Sequence, residues 1–127
     1  MNEKELRELD AWIAVHVIGW NRLDVKTDPT DNRTIDGVLY SPPGCRYDCG
    51  QSSCVPCYSA NPAAAMQVLE KCARGRTITI EHGATAQNKM QWMVACLNDG
   101  KEDNCKCADT LPLAICLAAK QIFHREP

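Results

Sequence analysis

Apolar side chains recur every three or four residues at the start of the chain. The repeating positions are Leu6, Leu9, Ile13 and Val17. This spacing predicts an amphipathic helix over residues 3–18, and Gly19 is a typical helix end because glycine tolerates the left-handed backbone found there. Trp12 and Trp20 are expected to widen the buried side of this helix.

A second helix is predicted in the middle of the chain. Ser59 or Asn61 supplies an N-cap, Pro62 suits the first turn, and Gly75 is a stop signal. The apolar residues expected to share one face of this helix are Met66, Leu69 and Cys72.

A third helix is predicted near the C-terminus, where Asp109 or Thr110 is the cap and Pro112 lies in the first turn. Apolar residues cover more than one of its sides, which is typical of a helix at the centre of a core. These residues are Leu113, Cys116, Leu117 and Phe123.

Short antiparallel strands are predicted between the helices. Residues 76–82, RTITIEH, alternate polar side chains with isoleucine, as a half-buried strand does. Residues 89–97, KMQWMVACL, are its predicted hairpin partner and are expected to be more buried. A further strand is predicted at 34–40 and a charged loop at 98–107. Helices packed on a small, mostly antiparallel sheet indicate an α+β fold, in a single domain over 1–127.

Composition restricts the class of protein. The chain has 127 residues, of which 45% are apolar and 24% charged, as expected for one globular domain. A net charge of -2 indicates no basic face of the kind that binds nucleic acid. The first residues have the features of neither a signal peptide nor a membrane span. We therefore expect a cytosolic protein whose partners include neither membrane nor nucleic acid.

Nine cysteines are many for such a chain, and four of them lie in CRYDCGQSSCVPC. Cytosolic thiols are mostly reduced, so metal ligation, redox chemistry and burial are the alternatives. The Cys-rich loop at 42–58 contains the candidate ligands of a structural zinc ion, Cys45, Cys49, Cys54 and Cys57. Only Cys54 and Cys57 have the spacing of a standard zinc knuckle.

The other five cysteines have two interpretations. Cys96, Cys105 and Cys107 are an alternative set of metal ligands, to be completed by cysteines of the loop. Cys72, Cys96 and Cys116 fall on apolar faces of predicted elements, and their predicted role is burial as small hydrophobic side chains.

Two further groups are candidates for function. Arg74, Arg76 and Trp92 are the candidate ligand-binding residues, because the cations attract an anion and the indole can stack on a ring. Their alternative interpretation is a solvated helix end and a core tryptophan. Cys57 and His82 are a candidate nucleophile and base, but no recognisable nucleophile signature accompanies them, so no catalytic residue is predicted.

Three segments resemble, in the same order, segments of the phage ABA sandwich domain family. They are MNEKELRELDAWIAVHVIGW, YSANPAAAMQVLEKC and ADTLPLAICLAAK. The resemblance implies a three-layer α/β/α domain with helices on both sides of a small sheet. It also implies a phage or prophage protein present in the cytoplasm of a bacterial host. It supplies no catalytic residue and no metal ligand.

Together these observations favour a non-catalytic accessory protein that binds a host protein or a small metabolite. One version counters an antiviral defence by sequestering a signalling nucleotide, in a homo-oligomer whose pockets are lined by Arg74, Arg76 or Trp92. The first alternative is a zinc-stabilised nucleic-acid-binding or transcription adaptor. The second is a small enzyme that uses Cys57 or His82.

Overall fold

The computed structural model describes residues 1–23, 33–47, 52, 54–84, 86–98 and 101–125. Contacts divide the chain into two compact units, Met1–Cys57 and Tyr58–Pro127. Both units combine α-helix with antiparallel strands, which confirms the α+β class. In the described part of the chain, no helix has the length and apolar character needed to cross a bilayer.

The first unit begins with helix α1, Glu3–Ile13, which continues into a π-helical turn, Ala14–Ile18. The side-chain oxygen of Asn2 caps α1 by accepting from the amide of Glu5 at 2.8 Å. Gly19 ends the run with a φ of 103°, and its amide donates to the carbonyl of Ala14 at 2.8 Å. The predicted helical run and its stop are therefore confirmed, while the wider last turn was not predicted.

The buried side of this helical run matches the predicted spacing at most positions. Leu9, Ile13 and Val17 are buried, and so is Trp20. Trp12 is only half-buried, so the prediction that it extends the buried side is confirmed in part. Its ring lies at the edge of a pocket.

The strands of the first unit are short. β1, Asn21–Leu23, pairs antiparallel with β2, Leu39–Ser41. The strand predicted at 34–40 is partly wrong, because a tight turn bridged between Ile35 and Val38 precedes β2. Its two central residues, Asp-Gly, have φ values of 56° and 81°. Two positive φ values in succession are the signature of a type I′ turn, which Asp-Gly favours strongly.

The second unit contains helix α2, Pro62–Cys72, capped by Asn61. The side-chain oxygen of Asn61 accepts from the amides of the second and third helical residues at 2.9 and 3.3 Å, which selects Asn61 over Ser59 as the cap. The predicted apolar face is partly wrong, since Met66 is 48% exposed. The residues that α2 buries are Ala64, Ala65, Val68 and Cys72. Two alanines on this face let α2 approach α3 closely.

A three-stranded antiparallel sheet follows α2, in the order β3, β4, β5. The strands are Thr77–Ala84, Met90–Asn98 and Lys101–Ala108. The hairpin of β3 and β4 is confirmed, and β4 is the more buried strand. The loop predicted at 98–107 is wrong, because most of it is β5. The charged sequence gave no strand pattern, because an edge strand pairs with its neighbour through main-chain groups and does not need apolar side chains.

Helix α3, Leu111–Arg125, completes the second unit and packs on α2, β4 and β5. The amide of Leu113 donates to the hydroxyl of Thr110 at 3.4 Å, so Thr110 is the cap. The prediction that this helix is central is confirmed. The residues it buries are Ala114, Ile115, Cys116, Ala118, Ala119 and Ile122. Leu113, Leu117 and Phe123, which were expected to supply much of its apolar cover, are only half-buried.

Candidate functional site

A pocket of about 370 Å³ lies between α1 and the pair of β1 and β2, entirely within the first unit. We call it the Trp12 pocket. Its polar and aromatic lining consists of Glu8, Trp12, His16, Arg22, Asp36 and Tyr40. A volume of this size is typical of sites for small molecules, which combine apolar walls with a few placed polar groups.

One wall of the Trp12 pocket is a pair of stacked aromatic rings. The rings of Trp12 and His16 have centroids 4.5 Å apart and an angle of 28° between their planes. The two residues are four apart on the helical run, so the helix itself brings them together. Because Trp12 is half-buried and His16 is exposed, part of the aromatic surface of the pair is accessible in the pocket.

Charged groups face these rings from the strands. Arg22 on β1 is exposed and lies opposite Tyr40 on β2 in the strand register. Burial raises the pKa of Tyr40, the cation of Arg22 lowers it, and Asp36 raises it again. The phenol is therefore protonated at neutral pH. Arg22 can bind an anionic group, while the carboxylates of Glu8 and Asp36 can accept from ligand donors.

Sequence reasoning missed this site, although two signals of it were present. Trp12 and His16 have the spacing of neighbours on a helix surface, and Asp-Gly between Ile35 and Val38 is a strong hairpin signal. Nothing in the sequence around Arg22 indicated that it lines a pocket. Its place in the pocket depends on the pairing of β1 with β2, which joins positions far apart in sequence.

The start of the Cys-rich loop is held through Cys45. The carbonyl of Cys45 accepts from the side-chain amide of Asn21 at 2.9 Å and from the hydroxyl of Ser41. Its thiol donates to the carbonyl of Tyr47 at 3.2 Å, and the residue is half-buried. Hydrogen bonds to the main chain therefore fix this end of the loop against β1 and β2.

The other end of the loop is held by Arg7 of α1. The guanidinium donates to the buried carboxylate of Asp10 at 2.9 Å and to the carbonyl of Val55 at 3.2 Å. It also lies 3.6 Å from the sulfur of Cys57. Cys54 and Cys57 are both exposed. Arg7 thus ties the knuckle-spaced pair to the first helix and leaves both thiols accessible.

The zinc prediction for this loop stays a prediction. Cys49 lies outside the described residues, so the geometry of the four-cysteine set is not defined. Within the residues that are described, no group of three or more histidine, cysteine or carboxylate side chains is arranged to hold a metal ion. Native mass spectrometry of protein purified reduced and without chelator would measure whether zinc is bound.

The strand register separates the alternative metal ligands. Cys105 pairs with Ala95, and Cys107 pairs with Met93. Because successive residues of a strand face opposite sides of the sheet, these two cysteines lie on the face opposite to Cys96. Cys96, Cys105 and Cys107 therefore do not form a joint site in this sheet.

The predicted burial of Cys72, Cys96 and Cys116 is confirmed. Cys72 is 2% exposed, and Cys96 and Cys116 are 0% exposed. Burial, with a smaller contribution from the neighbouring Cys96, raises the pKa of Cys72 to about 12, and Arg76 opposes the shift. The thiol of Cys72 is thus protonated throughout the physiological range and packs as a small apolar group.

Alkylation with iodoacetamide at about pH 8 is expected to divide the cysteines into classes. Cys54, Cys57 and Cys107 are exposed and should react quickly, whereas Cys72 and Cys116 should react only after unfolding. The physical reason is that the thiolate is the reactive form, and burial blocks both ionisation and access. Peptide mass spectrometry after timed quenching measures the labelling, and a denatured sample, in which all nine sites react, is the control. Rapid labelling of native Cys72 would contradict the described packing.

The candidate ligand-binding residues Arg74, Arg76 and Trp92 lie at different places in the second unit. Arg74 is exposed, and the guanidinium of Arg76 lies over the ring of Phe123, 5.8 Å from its centroid. Trp92 stacks on His82, with centroids 4.2 Å apart and an interplanar angle of 11°.

The register of β3 and β4 measures this separation. Arg76 immediately precedes Thr77, the first residue of β3, whereas Trp92 pairs with His82, which lies six residues beyond Arg76. Six residues of extended chain span about 20 Å. A single copy of the second unit therefore does not bring Trp92 and the arginines into one site, and their role in binding stays a prediction.

The carboxylate nearest to His82 in sequence, Glu81, does not share a face of the sheet with it. Glu81 and His82 are consecutive in β3, so their side chains point to opposite faces of the sheet. His82 stacks on Trp92 instead, and Cys57 belongs to the other unit. A role for either residue in catalysis stays untested.

The described elements define an α+β protein with a pocket of about 370 Å³ beside its first helix. The sequence profile of the phage ABA sandwich domain matches residues 11–120. The chain therefore belongs to the phage ABA sandwich domain family, which confirms the resemblance of its three segments. No curated protein and no solved structure matches the chain.

Proposed function

We propose that this protein is a non-catalytic phage accessory protein that binds a small host metabolite in the Trp12 pocket. The observation that carries the proposal is the stacked pair of Trp12 and His16 facing Arg22 in a pocket of about 370 Å³. An aromatic wall beside an arginine suits a molecule with a planar ring and an anionic group. A nucleotide is such a molecule, and sequestering a signalling nucleotide would counter a host defence inside the bacterial cytoplasm.

The chemistry of the lining supports binding rather than turnover. No serine, cysteine or lysine lies among the described residues that line the pocket, so a covalent step through one of those side chains is not part of the proposal. The carboxylates of Glu8 and Asp36 can accept hydrogen bonds from ribose hydroxyls or amino groups. A single arginine beside two carboxylates favours a ligand with few negative charges over a polyphosphate.

A thermal-shift screen tests the proposal, using nucleosides, nucleoside monophosphates, cyclic mononucleotides and dinucleotides, with aromatic amino acids for comparison. A hit is then titrated by calorimetry. A ligand at a hundred times its dissociation constant stabilises the folded protein by about 2.7 kcal/mol, which is a measurable shift. Replacement of Trp12 by alanine is expected to lower the affinity for the compound about tenfold to a hundredfold, because a stacked ring contributes about 1 to 3 kcal/mol. Arg22→Ala is expected to lower the affinity for anionic compounds more than that for neutral ones.

The matched controls are Trp92→Ala and Arg74→Ala, which remove the same side-chain types from the second unit. Binding lost in Trp12→Ala and Arg22→Ala but kept in the controls supports the pocket. Binding that is lost in Trp92→Ala and Arg74→Ala but kept in Trp12→Ala and Arg22→Ala overturns the proposal for the Trp12 pocket. It would instead support the ligand-binding residues predicted from sequence. A screen without any hit overturns the small-molecule proposal and directs the search to a host protein.

A further inference from the structure

Among the described strands, none pairs with β3 on the side away from β4, so β3 is an edge of the second unit's sheet. This strand is eight residues long, and each of them except Ile78 is exposed. Near its end, a Cβ added to Gly83 would meet no described atom within 4 Å. The main-chain groups that point away from β4 are therefore accessible, and such a row of amides and carbonyls is a template for another strand.

The two edges of this sheet differ in their protection. Proteins usually block an exposed edge with lysine, proline or a bulge. The edge strand β5 has the charged sequence KEDNCKCA and a register irregularity in its pairing with β4. β3 contains no lysine, arginine or proline and pairs with β4 in unbroken register along all eight residues. The edge at β3 is therefore the unprotected one.

Large apolar side chains lie beside this edge. Ile80 of β3 is 39% exposed and Met90 of β4 is 54% exposed. The stacked rings of His82 and Trp92 lie between them on the same face of the sheet, because all four positions share one parity in the strand register. An uncovered apolar surface next to an unprotected edge is typical of an interaction site.

We propose that two copies of this chain pair through β3, antiparallel about a two-fold axis at Ile80, to form one six-stranded sheet. This register places the two Ile80 side chains against each other and sets Thr79 opposite the partner's Glu81. An axis one residue further along would oppose two Glu81 carboxylates, which is unfavourable. The antiparallel arrangement also keeps the two Arg76 residues about 26 Å apart, whereas a parallel one would place them together.

The same register has a consequence for the ligand-binding residues predicted from sequence. Arg76 of one copy lies opposite the partner's Ala84, two residues from the partner's His82, which stacks on the partner's Trp92. The distance between the Cα atoms of Arg76 and the partner's Trp92 is then about 12 Å, within reach of an extended arginine side chain. Two copies thus bring together an arginine and a tryptophan that one copy separates.

Sedimentation velocity over a wide range of protein concentration tests the proposal. In this register seven β3 residues of each copy pair, which buries less surface than a standard interface, so we expect a monomer–dimer equilibrium with a micromolar dissociation constant. Ile80→Lys adds a charge to the unprotected edge and is expected to weaken the dimer at least about tenfold. Met66→Lys is the matched control, because it makes the same kind of change at an exposed apolar side chain of α2.

Circular dichroism and thermal melting establish that each variant is folded before it is compared. A concentration-dependent dimer that Ile80→Lys weakens and Met66→Lys leaves unchanged supports pairing through β3. A wild-type protein that is monomeric at every concentration overturns it and leaves a strand of another protein as the occupant of this edge. Equal effects of the two variants also overturn it. Because the Trp12 pocket is tested by ligand titration, the two proposals fail independently.

Discussion

Replacing Ile115 by alanine is expected to lower the free energy of unfolding by about 3 to 4 kcal/mol. Ile115 is 1% exposed and lies on α3, the helix that packs on α2, β4 and β5. Its truncation removes buried methyl and methylene groups and leaves a cavity in the core. Urea unfolding followed by circular dichroism measures the loss.

Leu113→Ala is the matched control for this prediction. Leu113 lies in the same helix, two residues earlier, but is only half-buried. Its truncation is expected to cost about 1 kcal/mol, because less apolar area leaves the core. Equal losses in the two variants would mean that the helix presents a different face to the sheet than the one described.

Arg7→Met is expected to lower the free energy of unfolding by about 2 to 3 kcal/mol. The variant leaves the carboxylate of Asp10 without its guanidinium, although the Asp10 side chain is only 2% exposed. It also removes the donor that holds the carbonyl of Val55. Because the Arg7 side chain is 35% exposed, solvent partly replaces its contacts, and the loss is smaller than for a fully buried pair.

A double-mutant cycle with Asp10→Ala isolates the pair. The loss in the free energy of unfolding of the double variant is expected to be about 1 to 2 kcal/mol smaller than the sum of the losses in the two single variants. Lys4→Met, one turn earlier on the same helix and exposed, is the control and is expected to change stability by less than about 0.5 kcal/mol. Additive losses in the cycle would show that Arg7 stabilises the protein through Val55 and not through Asp10.

Much of the fold could be predicted from local patterns. The first helix, the caps and the hairpin of β3 and β4 each depend on residues close together in sequence. The errors fell where packing decides the outcome. The sequence of β5 predicts a loop because it is charged, and a strand that pairs through its main chain needs no apolar pattern. Met66 was predicted to be buried because the apolar pattern does not show which element will pack against a helix face.

The cysteines illustrate the same division. Burial of Cys72, Cys96 and Cys116 followed from their place on apolar faces, since that property depends on the element itself. Which thiols share a site depends on strand register, and the register places Cys105 on the face opposite to Cys96. Spacing in the sequence carries no information about that relation.

The family and the α+β class were determined by the sequence alone, because both depend on local helix and strand signals and on the order of three segments. The candidate site was decided by tertiary structure. Trp12 and His16 belong to one helix, but Arg22, Asp36 and Tyr40 reach the same pocket only through the pairing of β1 with β2. A pocket is a relation between elements, and only the packing that joins distant segments can create it.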